Sequence, residues 1–356
     1  MRQRAQMVGA GVRRRLPDVL ASAERVLLVI STRVLRQSKV VPDLGDRTIG
    51  TFTEWSPNPS LEQALLASRV REAFAPDAIV AVGGGSAIDV AKMARSLPSN
   101  RTDAMAVLRG ERDPLPVNQP LIALPTTAGS GSEMTRFATV YVDRIKHSLD
   151  HASVRPDTAL IDPELLATCP LALRYSCAFD ALCHAVESFW STRATPESQD
   201  LALRALRAVI SVLDGSIRAP GPSDYLQLAI GATTAGRAID LTRTTAAHAF
   251  SYRLTADFGV PHGVACLLNL RWLLDYNLAR GDFPELSMLF PSDGVGAGQL
   301  AGWLADGGFG VRLGDYGVRA ADLADLVAAG LGSGRVAGNP RPLDPVEVTA
   351  QLRRLL

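Results

Sequence analysis

The stretch DAIVAVGGGSAIDVAK, residues 77–92, passes from a short apolar run through three glycines into an Ala-rich segment of helical character. The apolar run reads as a buried strand and the segment after Gly85 as a helix. A strand that enters a helix through Gly83, Gly84 and Gly85 keeps side chains away from the helix's positive end, where a pyrophosphate binds. Ser86 adds a hydroxyl donor. The pattern is neither GxGxxG nor GxxxxGK followed by Ser or Thr, and Gly-rich turns also serve purely conformational ends. By itself the loop is equally a dinucleotide cradle and a plain turn.

Working outward, RVLLVIS (25–31), SLEQALLASRVREAF (60–74) and PLIALPTTAGSGSEMT (120–135) continue an alternation of strands and helices. That alternation predicts a parallel sheet covered on both faces. From Pro163 the texture changes, since stretches such as ESQDLALRALRAVISVL (197–213) carry helical apolar spacing and few β-branched runs. The expected organisation is an α/β domain over 1–162 and an all-α domain over 163–356, with the break in DPELLATCP and the active site in the cleft between them. GVGAG (294–298) reads as a loop.

The chain has 356 residues and 47% hydrophobic content, enough for two substantial cores. Its 37 basic and 36 acidic residues leave a net charge of +1, which gives no electrostatic case for nucleic acid or an anionic membrane as partner. No apolar run approaches the roughly 20 residues of a membrane span. The N-terminal arginines, Arg2, Arg4, Arg13, Arg14 and Arg15, precede no apolar run or cleavage pattern, so a cytoplasmic protein is expected. Cys169, Cys177, Cys183 and Cys266 form no CxxC pair and read as reduced core residues, without a disulfide or thiolate-metal role.

The chain has only five histidines, and three of them join one aspartate in two tight pairs. In FDALCHAVESFW (179–190), Asp180 and His184 stand one helical turn apart on a common face. In AAHAFSYRLTADFGVPHGVA (246–265), a helix carrying His248 ends near Gly259, and Pro261 suits the start of a second helix at His262. One oxygen and three nitrogens make a divalent-metal site of intermediate hardness, acceptable to Fe(II), Zn(II), Mn(II) or Co(II). Each histidine alone reads as a hydrogen-bonded residue on a half-buried helix; the arrangement of all four favours the metal. LPTTAGSGSEMT (124–135) concentrates hydroxyls and glycines after a strand and suits either a ribose and amide or an ordinary turn.

These segments, with VGAGVRRRLPDVL (8–20), SPNPS (56–60) and ALIDPELL (159–166), together resemble the iron-containing alcohol dehydrogenase family, relatives of glycerol dehydrogenase and dehydroquinate synthase. The resemblance implies the dehydroquinate synthase-like fold: an α/β N-terminal dinucleotide-binding domain plus an all-α C-terminal metal-binding domain. It also implies reversible hydride transfer between a nicotinamide cofactor and an alcohol or aldehyde, an enzyme that is a homodimer, and Fe(II), with Zn(II) as the alternative. By position, Asp180, His184, His248 and His262 match the metal ligands and Gly84, Gly85, Ser86 and Asp89 the pyrophosphate loop. Thr126, Thr127 and Ser130 match nicotinamide and ribose contacts, Lys146 a cofactor-side lysine and Asn58 a further cofactor contact.

Two positions depart from the family pattern. Where many NAD-using members carry an acidic residue on the ribose, this chain has Ser31, with Thr32 and Arg33 beside it; without the carboxylate a 2′-phosphate is not repelled, which favours NADP(H) over NAD(H). Tyr252 stands where several members have a proton-relay histidine, and it either relays through its hydroxyl or fills the wall. DLTRTTAAHAFSYRLT (240–255), HSLDHASVRPDTALIDPELL (147–166) and GNPRPLDP (338–345) resemble a subgroup that reduces phosphonoacetaldehyde to 2-hydroxyethylphosphonate. Arg243 and Arg253, flanking His248, are the candidate cations for that dianion, each equally readable as a solvated helix residue. Unphosphonated short-chain aldehydes or diols are the alternative substrates. A dehydroquinate synthase-type lyase is more distant, because the resemblance implies a different first ligand there.

Overall fold

Six parallel strands make the sheet at the centre of the first half, in the order β1 (Ala5–Val8), β8 (Thr158–Ile161), β5 (Leu121–Pro125), β4 (Ala78–Gly83), β2 (Arg25–Ile30), β3 (Thr48–Phe52). This computed structural model describes residues 5–37, 40–143, 145–279, 281–291 and 294–356, so Arg2 and Arg4 lie outside the described residues. The chain divides into two compact units, Met1–Cys169 and Pro170–Leu356.

In the first unit, the helices are α1 (Leu16–Leu20), α2 (Thr32–Gln37), α3 (Leu61–Phe74), α4 (Gly85–Ser96), α5 (Arg101–Leu108) and α6 (Pro163–Leu166). The period-two geometry of a strand explains why the central strands read as unbroken apolar runs. Val26, Leu28 and Ile30 pack with Leu16, Val34 and Leu44 on one face, while Leu27 and Val29 pack with Ala67, Ile88 and Ala91 on the other. Both faces are therefore buried, as the alternation of strands and helices requires. Ser60 starts α3 with a reciprocal capping box, its hydroxyl accepting from Gln63 N–H and its own N–H donating to Gln63.

One element breaks the parallel expectation. β6 (Phe137–Val142) and β7 (Ile145–Asp150) form a separate antiparallel hairpin, with Tyr141 opposite Lys146. The break between units also lies later than 162/163. Asp162 is buried and accepts from Gly11 N–H, Arg13 N–H and, as the cap of α6, Glu164 N–H. Leu165 joins the first unit's core and Arg33 donates to the Thr168 carbonyl, so 163–169 stay with the sheet.

The second unit has only helices among its described residues: α7 (Leu171–Trp190), α8 (Pro196–Leu213), α9 (Pro222–Thr242), α10 (Ala246–Phe258), α11 (His262–Leu278), α12 (Pro284–Leu289), α13 (Val295–Asp306), α14 (Leu323–Leu331) and α15 (Pro345–Arg354). GVGAG is not a loop as expected. Only Gly294, at φ 82°, lies outside α13; Gly296 is inside the helix, where a Cβ would meet Phe290 at 3.0 Å. Gly296 serves close packing, which composition alone does not distinguish from turn formation. No helix among the described residues is long and apolar enough to cross a membrane.

Candidate functional site

In the first unit, the sheet register gathers the loops that the sequence reading singled out. Ile30 pairs with Val82 and Gly83 with Pro125, so Ser31, Gly84 and Thr126 leave adjacent strands side by side at their carboxyl ends. Strand order reverses between β2 and β4, and in open α/β sheets such a switch point is where nucleotides bind.

The two loops interlock. Thr126 N–H donates to Gly83 O at 3.0 Å. A Cβ on Gly84 would lie 3.1 Å from Thr127 Oγ1, and one on Gly85 would lie 2.5 Å from Ser130 Oγ. Gly84 has φ −74°, so a left-handed backbone is not the reason for glycine. The reason is the second loop, which occupies the space a side chain would need. No side chain caps α4 at Gly84.

Beneath the loops lies a buried polar network that the sequence reading only half found. Asp89 accepts from Ser132 Oγ–H and from Thr139 N–H at 2.9 Å, so it ties α4 to the second loop and the hairpin. Lys92, absent from the expected site, is fully buried and donates to Ser132 Oγ, Thr135 O and Phe137 O at 2.8–3.0 Å. Burial lowers its pKa to about 8, against the opposing pull of Asp89 and Glu133. Burial likewise raises Asp89, which Lys92 and, more weakly, Lys146 counteract. The signal for Lys92 was its position, one turn after Asp89 on the same helix face.

The hairpin also brings in the outlying candidates. Lys146, on β7, is half-buried and within electrostatic reach of Asp89. Asn58 is exposed at φ 57°, a backbone region asparagine tolerates, and the next residue, Pro59, accepts from Tyr141 N–H on β6. Ser31 is half-buried and accepts from Val34 N–H, acting as the cap of α2. Arg33 is exposed and donates to Gln37 as well as Thr168.

In the second unit, Asp180 Oδ1 lies 3.6 Å from His184 Nε2, 3.3 Å from His248 Nε2 and 3.7 Å from His262 Nε2. A tetrahedral shell of bonds about 2.1 Å long has donors about 3.4 Å apart, so each imidazole stands from Asp180 Oδ1 at about the separation that two ligands of one divalent cation have. α10 ends at Gly259, φ 67°, and α11 begins at His262 after Pro261, as the sequence predicts. A glycine that the sequence reading passed over makes this possible. A Cβ on Gly263 would fall 1.8 Å from Ser176 O and 3.0 Å from Asp180 N, so only glycine lets α11 press its first turn against α7. Asp180, His184 and His248 are buried, whereas the His262 side chain is 29% exposed and marks the accessible side.

Glu187, three residues after His184 on the same face of α7, was also missed. It is fully buried and receives Thr245 N–H, Thr245 Oγ1–H and the Nδ1 of His248. That contact leaves His248 Nε2 turned toward Asp180, the arrangement by which a carboxylate orients a ligating imidazole. Burial pushes Asp180 up, but His184 and then the other two imidazoles hold it well below the usual carboxylate range. Burial is likewise outweighed at Glu187, chiefly by His248, and its pKa falls.

Tyr252 follows His248 by one turn of α10 and is half-buried. Arg243 is half-buried at the C-terminal end of α9, with φ 74°, strained for a side-chain-bearing residue. Arg253 is set apart: five residues on, it points about 140° around the helix from His248. It is exposed and paired with Asp257. None of the four cysteines is in a disulfide; Cys169, Cys183 and Cys266 are buried as expected, whereas Cys177, read as a core residue, is only half-buried. Cys266, however, stands among the candidate metal-ligand atoms, which its spacing to His262 on α11 would have revealed.

A carboxylate and three imidazoles converging in a helical unit, in one chain with a nucleotide-type parallel sheet, is the arrangement of a metal-dependent dehydrogenase. The chain belongs to the iron-containing alcohol dehydrogenase family: residues 4–163 match the family model and residues 175–356 its C-terminal model. It is 38% identical over 225 residues to a phosphonoacetaldehyde reductase of Streptomyces viridochromogenes, a match covering 61% of this chain and 57% of that protein's length. It is 31% identical to the probable alcohol dehydrogenase EutG of Escherichia coli K12, over 74% of this chain and 69% of the relative. The fold is similar to the crystal structure of sulfoacetaldehyde reductase from Bifidobacterium kashiwanohense in complex with NAD+, with TM-score 0.92 and 25% identity, covering 100% of this chain and 97% of that one.

Proposed function

We propose that this chain is a metal-dependent, NADP(H)-using reductase of a short aldehyde that carries a strong anion, with phosphonoacetaldehyde reduced to 2-hydroxyethylphosphonate as the leading reaction. The observation that carries the reading is the gathering of His184, His248 and His262 nitrogens within 3.3–3.7 Å of one Asp180 oxygen. The substrate class is supported by two relatives whose names share an acetaldehyde bearing an oxyanion, one a phosphonate and one a sulfonate. NADP(H) is supported by the absence of a carboxylate at Ser31.

A divalent cation held at this centre supplies Lewis acidity toward a carbonyl oxygen. Asp180, His184, His248 and His262 hold it, and Glu187 fixes the tautomer and ring plane of His248. Thr126, Thr127 and Ser130 orient the nicotinamide end of the cofactor, while Gly84, Gly85 and Ser86 receive its pyrophosphate. Tyr252 holds a hydroxyl proton one turn from His248 and exchanges it with the product oxygen. Arg243, half-buried and held in a strained backbone, binds the anion of the substrate; the exposed Arg253 does not.

The test follows NADPH absorbance with Fe(II) and a panel of phosphonoacetaldehyde, glycolaldehyde, propionaldehyde and lactaldehyde. Phosphonoacetaldehyde should show the highest kcat/KM, NADH should be the poorer cofactor, and R243A should raise KM for the phosphonate alone by roughly 10–100-fold, the value of one charge-assisted contact of about 1.5–3 kcal/mol. H184A should bind the metal more weakly and lose turnover. Equal efficiency across the panel moves the assignment to unphosphonated aldehydes; full turnover by metal-free H184A overturns the metal reading itself.

A further inference from the structure

The helices α7 and α11 each present two potential donors one turn apart, Asp180 with His184 and His262 with Cys266, and α10 adds His248 between them. The Sγ of Cys266 lies 3.8 Å from His262 Nε2, and the donor atoms of Asp180, His248, His262 and Cys266 all lie within 4.8 Å of one another. Cys266 is fully buried. Glu187 takes the Nδ1 side of His248, which leaves its Nε2 on the side of Asp180.

We infer that Cys266 is a metal ligand, so that the centre contains two overlapping donor sets sharing Asp180, His248 and His262. His184 completes one set, with three nitrogens and an oxygen. Cys266 completes the other, with two nitrogens, an oxygen and a sulfur. As the sulfur–metal bond forms, the thiol proton leaves to solvent, so binding through the second set releases one proton that binding through the first does not. Thiolate is the softer donor, and its presence shifts the centre toward Zn(II) and Co(II) and away from Fe(II). The inference rests on the metal reading above.

Cobalt tests it in the intact chain. After chelation and dialysis, Co(II) loading should give a thiolate-to-cobalt charge-transfer band in the near ultraviolet. The band should persist in C183S and in H184A, which leave the second donor set complete, and vanish in C266S. In competition between Zn(II) and Fe(II), C266S should lower the zinc preference tenfold or more. Cobalt d–d bands in the wild type without a charge-transfer band leave the Asp-His centre standing and overturn the role of Cys266. A charge-transfer band that survives in C266S also overturns it. Failure of the wild-type chain to bind cobalt at all overturns both the inference and the metal reading beneath it.

Discussion

Glu187 receives the Nδ1 side of His248 while the Nε2 of the same ring stands 3.3 Å from Asp180 Oδ1. The buried carboxylate thereby decides which nitrogen is free to ligate. It also holds Thr245 through two hydrogen bonds, which ties the start of α10 to α7.

Glu187→Gln keeps the volume and removes the charge. Removing such an outer partner weakens a metal site 10–100-fold. Chelator competition should show that drop in E187Q with the helical content unchanged; wild-type affinity would show that His248 needs no orienting carboxylate.

Gly263→Ala places a methyl 1.8 Å from the Ser176 carbonyl oxygen, a backbone atom that cannot turn aside. α11 must move off α7, and overpacking of this kind costs on the order of 2–3 kcal/mol. Urea denaturation should register that loss, and metal content should fall with it because His262 moves with the helix. An unchanged midpoint together with full metal occupancy would remove Gly263 from the account of the site.

Gly85→Ala should weaken NADPH binding by roughly tenfold or more, because its new methyl meets Ser130 Oγ at 2.5 Å and pushes the two cofactor loops apart. Adding Ser130→Gly opens the space again and should recover part of the affinity. If fluorescence titration finds the double variant weaker than the sum of the singles, the interlock is the wrong cause.

Lys92 gives a pH dependence of definite sign. Its pKa in the folded chain is about 8, below the ordinary lysine value, because burial outweighs Asp89 and Glu133. Between about pH 8 and the unfolded value of about 10.4 the unfolded chain binds the additional proton, so this group's contribution to stability rises with pH across that window. Its penalty is fully present below pH 8. Cofactor binding should move the opposite way, since the ammonium has three hydrogens for Ser132, Thr135 and Phe137 and the neutral amine only two. KM for NADPH should rise above pH 8 in the wild type and be flat with pH in K92M. The same inflection in K92M would assign it to another group.

Local patterns carried much of this protein. The apolar runs at 25–30 and 78–83 are legible as central strands because both their faces are buried, and Asp180 with His184 is legible because a helix places residues four apart on one face. The start of α11 at His262 follows from Gly259 and Pro261, whose backbone preferences act within a few residues. These are short-range constraints, and a sequence records them directly.

Tertiary structure decided the rest, because close approach between distant segments has no local signature. Glycine at 85 and at 263 answers to Ser130 and to Ser176, and nothing beside either glycine in the chain names its neighbour. The same holds for Glu187, which reads as an ordinary helix residue until the fold sets His248 against it, and for Cys266, which without a CxxC partner reads as core until the fold places its sulfur beside three candidate ligand atoms. Arg243 and Arg253 are alike in sequence; the helix end and the helix face on which each stands separate them. The chain's residue types thus determined which chemistry is available, and packing determined which side chains meet to perform it.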